Sequence, residues 1–357
     1  MDPHSVVSPP IFWRSRLLPP DNEAMAVVAS AELADIIRRA QGCFLGQLAG
    51  DSLGSLVEFE SAQRIRERYP QGVRDLADGG TWGTLAGQPT DDSEMALALA
   101  RVLAQSGRYD PHEARQAYLE WFHSRPFDVG GTVRAALMGH PRADSQANGA
   151  MMRASPLGIF GAFHPLERVA EWARQDAAIT HIHPICQQAN ALYVTAIGQA
   201  VRSGPSPGEL YREIVNRAEE MAVAPELLEV VRRAATAPPA DYLALAGWVL
   251  VAFHNALWQL LHAPSLEEGV VDTVMRGGDT DTNAAICGAL LGAVYGREAV
   301  PERWVNTLLN CRPEQGRPGV RRPRPERYWP VDALELAERL VRAGLATALG
   351  GVSQGDA

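Results

Sequence analysis

Glycine recurs at every fourth position in two separate segments of this chain. The two series are Gly42, Gly46, Gly50 and Gly54, and Gly288, Gly292 and Gly296. Because residues four apart share one face of a helix, each series predicts a helix with a groove that another backbone can enter. A glycine inside a helix costs about 0.5–1 kcal/mol relative to alanine, so close packing must compensate for it. We expect both helices to be central, and contact between them would account for both series.

Most of the chain after residue 29 has the apolar periodicity of helices, and alternating β-branched runs are absent. The sequence therefore predicts one all-α domain over residues 30–350, preceded by a Pro-rich N-terminal extension over residues 1–29. The predicted helical segments are 31–59, 92–107, 111–124, 165–180, 184–201, 209–235, 241–262, 266–276, 282–295 and 332–346.

Composition and charge exclude several classes of protein. The 357 residues include 33 basic and 42 acidic side chains, and the net charge of −9 argues against a nucleic-acid binder. The basic, Pro-rich stretch 312–327 is interpreted as a surface strap and not as a nucleic-acid arm. The four cysteines include no C-x-x-C pair, which disfavours a disulfide framework and a zinc site. Without a signal-peptide core or a bilayer-length apolar stretch, the chain is predicted to be cytoplasmic, with no membrane span.

Two clusters of acids and threonines stand directly before apolar helices. They are Thr90, Asp91 and Asp92 in "PTDDSEMALALA", and Asp279, Asp281 and Thr282 in "GGDTDTNAAICGALLG". Helix capping would explain either cluster alone, because such side chains accept hydrogen bonds at helix N-termini. A cap needs one side chain, however, whereas each cluster offers two carboxylates together with hydroxyls. Four carboxylates in one place would repel strongly without a cation, and Mg²⁺ or Mn²⁺ prefers such oxygen ligands.

Glu58, in "SLVEFE", is a further candidate for the same site. It follows an apolar helix in hydrophobic surroundings, where an unpaired charge would be costly. The alternative for this residue is a glutamate in solvent at a helix end.

The acidic clusters belong to a set of stretches whose order resembles the ADP-ribosylglycohydrolase family. The stretches are "GCFLGQLAGDSLGSLVEF", "PTDDSEMALALA", "SRPFDVGGTVRAAL", "ANGAMMRASPLGIF", "ITHIHPICQQA" and "GGDTDTNAAICGALLGAVYG". The resemblance covers about residues 36–305 and is nearest to bacterial glycohydrolases of the kind that activate dinitrogenase reductase. It implies an all-α fold with a cleft that holds two divalent cations, Mg²⁺ or Mn²⁺.

The resemblance also implies roles for individual residues. The implied metal ligands are Thr90, Asp91, Asp92, Asp279, Asp281 and Thr282. Catalytic roles fall to Glu58, which would position or activate a water, to Asp128, which would face the ribose, and to Asp92. The implied substrate-binding residues are Asn148, Gly149, Arg153 and His181. For His181 the sequence without the family favours a plain turn between helices.

We therefore expect a hydrolase that removes ADP-ribose from a modified protein, with arginine as the favoured linkage. One alternative is hydrolysis of another ADP-ribosyl linkage, such as that to serine. A second is an immunity protein that binds an ADP-ribosyltransferase toxin through residues 1–29, whose Phe12, Trp13 and Arg14 are typical of interface anchors. A disordered leader is the simpler interpretation of that segment.

Overall fold

The two glycine-rich helices pack against each other in a computed structural model, which describes residues 30–350. The helices α1 (Ser30–Gly54) and α13 (Thr280–Tyr295) have the most extensive contact of any pair of described elements. A Cβ atom on Gly46 would overlap the carbonyl oxygen of Gly288, and a Cβ atom on Gly288 would overlap the carbonyl oxygen of Gly46. Only glycine allows two helix backbones to approach this closely. The expectation that the two series mark central, touching helices is confirmed.

Within the described residues, the elements that pack around this central pair are all helices. Within residues 30–350 there is no β-strand, and two short 3₁₀ turns occur at Arg297–Ala299 and Glu326–Tyr328. The remaining α-helices are α2 (Ala62–Arg68), α3 (Asp91–Ser106), α4 (Pro111–His123), α5 (Gly131–Leu137), α6 (Ser155–Gly161), α7 (Leu166–Ala178), α8 (Pro184–Ser203), α9 (Pro207–Glu220), α10 (Pro225–Arg233), α11 (Val249–His262), α12 (Leu266–Met275), α14 (Glu302–Asn310) and α15 (Ala333–Gly350). The all-α prediction is confirmed.

The layers around the pair fix its position. α11 and α12 pack on α13, α15 packs on α1, and α8 contacts both members of the pair. α6 bridges α8 and α15. Neighbouring helices thus hold the central pair in place, which makes its termini suitable for positioning side chains. Among the described helices, none combines the length and the apolar character needed to cross a membrane.

Two predicted helical segments differ from the structure. The segment 241–262 becomes helical only at Val249, because the Asp241 carboxylate accepts hydrogen bonds from the Leu243 and Ala244 N–H groups, both at 2.8 Å, and Gly247 has a φ of 79°. The region 209–235 is two helices, α9 and α10, separated by a turn in which Ala222 has a φ of 46°. The short helices α2, α5, α6 and α14 were not predicted, because each spans only two or three turns.

The basic stretch 312–327 lies on the surface, as predicted, and one buried side chain holds it there. Most of its arginines are exposed, whereas Arg324 is buried. The Arg324 guanidinium donates to both carboxylate oxygens of Glu94, each at 2.7 Å, and to the carbonyl oxygen of Ser124 at 3.0 Å. This bidentate ion pair fixes the strap against the first turn of α3.

Candidate metal centre and substrate cleft

The end of α1 and the starts of α3 and α13 meet at a cleft of about 350 Å³. Close packing of α1 on α13 causes this convergence, since the Thr280 hydroxyl donates to the carbonyl oxygen of Gly54 at 2.7 Å. Two segments far apart in sequence therefore end side by side. The predicted site residues that line the cleft are Glu58, Asp91, Asp128, Asn148, Gly149, His181, Asp279, Asp281 and Thr282.

A tight turn connects Glu58 to the second acidic cluster. Gly277 and Gly278 have φ angles of 76° and 77°, a conformation that favours glycine. The Phe59 N–H donates to the carbonyl oxygen of Gly278 at 2.8 Å, and the Gly278 N–H donates to the carbonyl oxygen of Glu60 at 3.0 Å. These paired backbone hydrogen bonds hold Glu58 beside Asp279. Glu58 is 6% exposed, so the alternative of a glutamate in solvent is wrong.

The carboxylates of the cleft have no basic partner. One oxygen from each of Glu58, Asp279 and Asp281 lies within 4.8 Å of the others. No arginine or lysine is among the described residues that line the cleft. Other buried carboxylates in this protein do have one, since Glu94 pairs with Arg324 at 2.7 Å. The cleft therefore concentrates negative charge that no protein cation neutralises.

Helix capping does not explain the acidic clusters. Thr90 and Asp279 are the N-cap residues of α3 and α13, and neither side chain forms a capping hydrogen bond. The carboxylate of Asp51, in α1, replaces the cap of α3 by accepting from the N–H groups of Thr90 and Ser93 at 3.1–3.2 Å. Sequence analysis missed Asp51, whose only signal was an acid inside a glycine-rich helix. Asp91 and Asp92 are thus not needed as caps.

Thr90 and Asp92 lie one layer below the cleft wall and fit a cation. The Thr90 hydroxyl is 2.8 Å from Asp51 Oδ1 and 2.9 Å from Asp92 Oδ2, yet it has a single proton to donate. The other oxygen of Asp92 is buried without any hydrogen-bond partner. A buried carboxylate oxygen in this state needs a proton or a cation. The donor set of carboxylate and hydroxyl oxygens is the one that Mg²⁺ and Mn²⁺ prefer.

Comparison with known proteins shows the family to which the chain belongs. The model of the ADP-ribosylglycohydrolase family matches residues 32–347. The chain belongs to this family. The chain is 32% identical to the ADP-ribosyl-[dinitrogen reductase] glycohydrolase of Rhodospirillum rubrum, over 76% of this chain and 90% of that protein. It is 24% identical to the ADP-ribosylarginine hydrolase Tri1 of Serratia proteamaculans, over 77% of this chain and 76% of that protein.

A solved structure supports the same conclusion at the level of the fold. A chain of an "ADP-ribosylglycohydrolase-related protein complex" superposes with a TM-score of 0.70 at 27% identity, covering 87% of this chain and 99% of that one. The family and these relatives are hydrolases that act on ADP-ribose linkages, which confirms the prediction of an ADP-ribosylglycohydrolase.

Burial and mutual repulsion raise the pKa values of several carboxylic acids in and below the cleft of this glycohydrolase. Burial, followed by the charge of Asp279, raises the pKa of Glu58 to about 8. Burial and the charge of Asp91 raise the pKa of Asp128 to about 9, and burial raises the pKa of Asp91 to about 6. The pKa values of Asp92 and Asp281 are also raised by burial and neighbouring carboxylates. The raised pKa values favour the protonated acids, and a divalent cation bound among them would favour the ionised carboxylates instead.

With divalent cations chelated, the free energy of unfolding is expected to fall as pH rises from about 5 to about 8. The folded pKa values of Glu58 and Asp91, about 8 and about 6, exceed the unfolded values of about 4. The folded state therefore retains protons that the unfolded state releases in this window, and rising pH favours unfolding. Added Mg²⁺ or Mn²⁺ should stabilise more at the upper pH, because the cation competes with protons. Thermal unfolding at several pH values measures this, and stabilisation independent of pH would contradict it.

The opposite wall of the glycohydrolase cleft comes from segments that the sequence did not connect. The Asn148 amide donates to Asp279 Oδ2 at 2.7 Å, and the Asn148 N–H donates to the carbonyl oxygen of Gly247 at 2.9 Å. Gly247 and Ala246 line the cleft from the loop that was predicted to be helical. Trp82 was also missed, and its Nε1–H donates to Glu58 Oε2 at 2.5 Å. The available signal was a tryptophan among the glycines of "DGGTWG".

Arg153 is a correction to the predicted substrate-binding set. Its side chain is fully buried and does not line the cleft. The guanidinium is paired with the carboxylate of Asp176 at 3.2 Å, and its carbon lies 4.3 Å from the centre of the Tyr118 ring. A guanidinium held by a buried carboxylate and an aromatic face is not available to ADP-ribose. The arginine supports the residues behind the cleft wall.

A larger depression, of about 660 Å³, lies between α3 and α4 but lacks unpaired charge. Its Arg101 is paired with Asp332 at 2.7 Å, and its Glu120 with Arg327 at 3.0 Å. Charged groups that already satisfy one another offer little to a substrate. The smaller, acidic cleft is therefore the candidate active site of the glycohydrolase.

Proposed function

We propose that this glycohydrolase is a metal-dependent enzyme that removes ADP-ribose from arginine side chains of modified proteins. The observation that carries the proposal is the unneutralised group of buried carboxylates where α1, α3 and α13 meet. Such a cluster is costly unless it binds a cation, and a cation beside a cleft suits a substrate with ribose hydroxyls and phosphates.

The residues that would hold two divalent cations surround the acidic end of the cleft. They are Thr90, Asp91, Asp92, Asp279, Asp281 and Thr282. Mg²⁺ or Mn²⁺ bound there would supply Lewis-acid charge that binds hydroxyl oxygens and stabilises negative charge near the reacting carbon.

Glu58 is the proposed general base. The Trp82 Nε1–H donates to Oε2 of Glu58 at 2.5 Å, which orients the side chain, and divalent cations bound beside it would favour the ionised carboxylate that a general base requires. Glu58 would take a proton from a water as that water attacks the anomeric carbon of the ribose. A carbon–oxygen bond would form as the bond from the anomeric carbon to the guanidinium nitrogen breaks, through an oxocarbenium-like state. The bonding electrons would go to that nitrogen, so the positively charged guanidinium would leave as a neutral guanidine and take up a proton from solvent.

Asp128 and Asn148 are proposed to position the ribose. Asp128 lies on the cleft wall with a raised pKa, so it can donate as well as accept a hydrogen bond. The Asn148 amide is already oriented by Asp279 Oδ2 at 2.7 Å. Ordered polar groups of this kind hold a substrate in the reactive geometry without further loss of entropy. Asp92, below the wall, would contribute to catalysis through its charge.

The linkage is tested by presenting three modified proteins to the full chain. Proteins carrying ADP-ribose on arginine, serine or cysteine are incubated with the enzyme and Mg²⁺, and released ADP-ribose is quantified. We expect release from arginine at least about tenfold faster than from the others, equivalent to about 1.4 kcal/mol of transition-state discrimination. The names of two relatives support this expectation, since one acts on dinitrogen reductase and another on ADP-ribosylarginine. Faster release from serine would assign the enzyme to the alternative linkage.

The second alternative, toxin immunity through residues 1–29, concerns a segment outside the described residues. It stays a prediction from the sequence, as does binding of an ADP-ribosyltransferase partner.

A further inference from the structure

The buried side chains behind the cleft wall form one continuous chain of hydrogen bonds that ends at His181. Asp176 accepts from Arg153 Nε at 3.2 Å and from the Tyr118 hydroxyl at 2.8 Å. Arg153 Nη1 donates to the Thr180 hydroxyl oxygen at 2.8 Å, and that oxygen is 2.8 Å from His181 Nδ1. All five side chains are buried.

The chemistry of the donors decides which way the last hydrogen bond runs. A guanidinium can only donate, so the Thr180 oxygen accepts from Arg153. The Thr180 hydroxyl proton then needs an acceptor, and His181 Nδ1 is the only one within hydrogen-bonding distance among the described residues. If Nδ1 carried the proton, the buried hydroxyl would have no acceptor at all, at a cost of about 1–3 kcal/mol. Thr180 therefore donates to Nδ1, and the proton of the neutral ring is on Nε2.

The Nε2 atom has no hydrogen-bond partner within the described protein and lies beside Gly149 of the cleft wall. It is buried without a hydrogen bond, although His181 lines the cleft. A Cβ atom added to Gly149 would lie 3.1 Å from Cε1 and 3.3 Å from Nε2 of this ring. Gly149 also lines the cleft, so a larger residue at this position would crowd the Nε2 edge, which lies next to that space.

We propose that Thr180 and Arg153 are positioning residues that fix His181 as a neutral imidazole, whose Nε2–H donates to an oxygen of the ADP-ribosyl group. The proposal rests on the proposed function for the identity of that group. It replaces the direct contact predicted for Arg153 with an action through two intervening residues. The cationic ring is disfavoured by burial and by the neighbouring guanidinium of Arg153, which together lower the pKa of His181 to about 3.

The first test observes the tautomer directly in the unaltered protein. Long-range ¹H–¹⁵N correlation spectra distinguish a protonated Nε2 from a protonated Nδ1, and the His181→Gln variant assigns the signal. We expect the wild-type ring to be neutral, with its proton on Nε2, near pH 7. A proton on Nδ1, or on both nitrogens, would overturn the proposal whatever the variants do.

The second test measures ADP-ribose binding by calorimetry, with the full chain and Mg²⁺ present. Thr180→Val removes the hydroxyl and should weaken binding about tenfold, as expected for loss of one oriented hydrogen bond. Thr180→Ser should restore the affinity to within about twofold, and the Nε2–H signal with it. The matched control is Thr195→Val, because Thr195 is equally buried but donates within α8 to the carbonyl oxygen of Ala191 at 2.7 Å.

The outcomes distinguish a failure of the proposed positioning of His181 from a failure of the proposed function. Equal affinity of the wild-type and Thr180→Val proteins for ADP-ribose would overturn the positioning role of Thr180 but would not affect the proposed function. Failure of Thr180→Ser to restore binding would have the same meaning. A wild-type protein that does not bind ADP-ribose would instead overturn the proposed function. If Thr180→Val does not fold by circular dichroism, the tautomer of the wild-type ring decides alone.

Discussion

Replacing Glu58 with glutamine is expected to slow hydrolysis of ADP-ribosylated protein by about 10²–10⁴-fold, the usual contribution of a positioned general base. The glutamine keeps the shape of the side chain and can still accept a hydrogen bond from Trp82 Nε1. It cannot take a proton from water. The initial rate of ADP-ribose release measures the effect, and calorimetry should show that ADP-ribose still binds.

Glu60→Gln is the matched control for this substitution. Glu60 lies two residues away but is paired with Arg68 at 2.9 Å and does not line the cleft. Its replacement should leave the rate within about twofold, because Glu60 pairs with Arg64 and Arg68, neither of which lines the cleft. Similar rates for the Glu58→Gln and wild-type enzymes would remove Glu58 from the mechanism.

Gly46→Ala is expected to lower the free energy of unfolding by ~3 kcal/mol, or to prevent folding, although alanine is the better helix former. The added methyl group would overlap the backbone carbonyl of Gly288. A backbone atom cannot move aside as a side chain can, so α1 and α13 must separate. Because the acidic cluster is built from the ends of these helices, activity should fall as well. Urea unfolding and the rate of ADP-ribose release measure the two effects.

The control for this prediction is Gly208→Ala, in the first turn of α9. A Cβ atom there would meet only the end of the Arg212 side chain, at 4.0 Å. The same substitution should be neutral or stabilise by about 0.4–1 kcal/mol, because alanine restricts the unfolded chain. If both variants were equally stable, the central helices would not be in backbone contact.

Features that depend on spacing within a helix were predictable from the sequence. The period-four glycines predicted contact between α1 and α13, and the paired carboxylates predicted that Asp91 and Asp279 would meet. Both predictions start from the spacing of residues within one segment, which leaves a groove on a helix or a group of carboxylates that needs a partner. The family resemblance added His181 and Asn148, which the sequence alone gave no reason to bring together.

Features that depend on long-range hydrogen bonds were not predictable. Asp51 caps α3 from another helix, across 39 residues of sequence. Arg153 matched a substrate-binding motif, yet its partner Asp176 lies on α7, and only the packed structure shows that the ion pair is fully buried. The loop 241–248 is apolar enough for a helix, but local hydrogen bonds to Asp241 and the turn at Gly247 override that tendency.

The most direct measurement is a titration of the chelator-treated full chain with Mn²⁺, following both ion binding and ADP-ribose release from arginine-modified protein. The account predicts no release after chelation, recovery as about two ions bind, and neither binding nor recovery in a folded Asp279→Ala variant. Undiminished release in the presence of the chelator, with Asp279→Ala as active as the wild type, would show that the buried carboxylates are structural and would contradict the account.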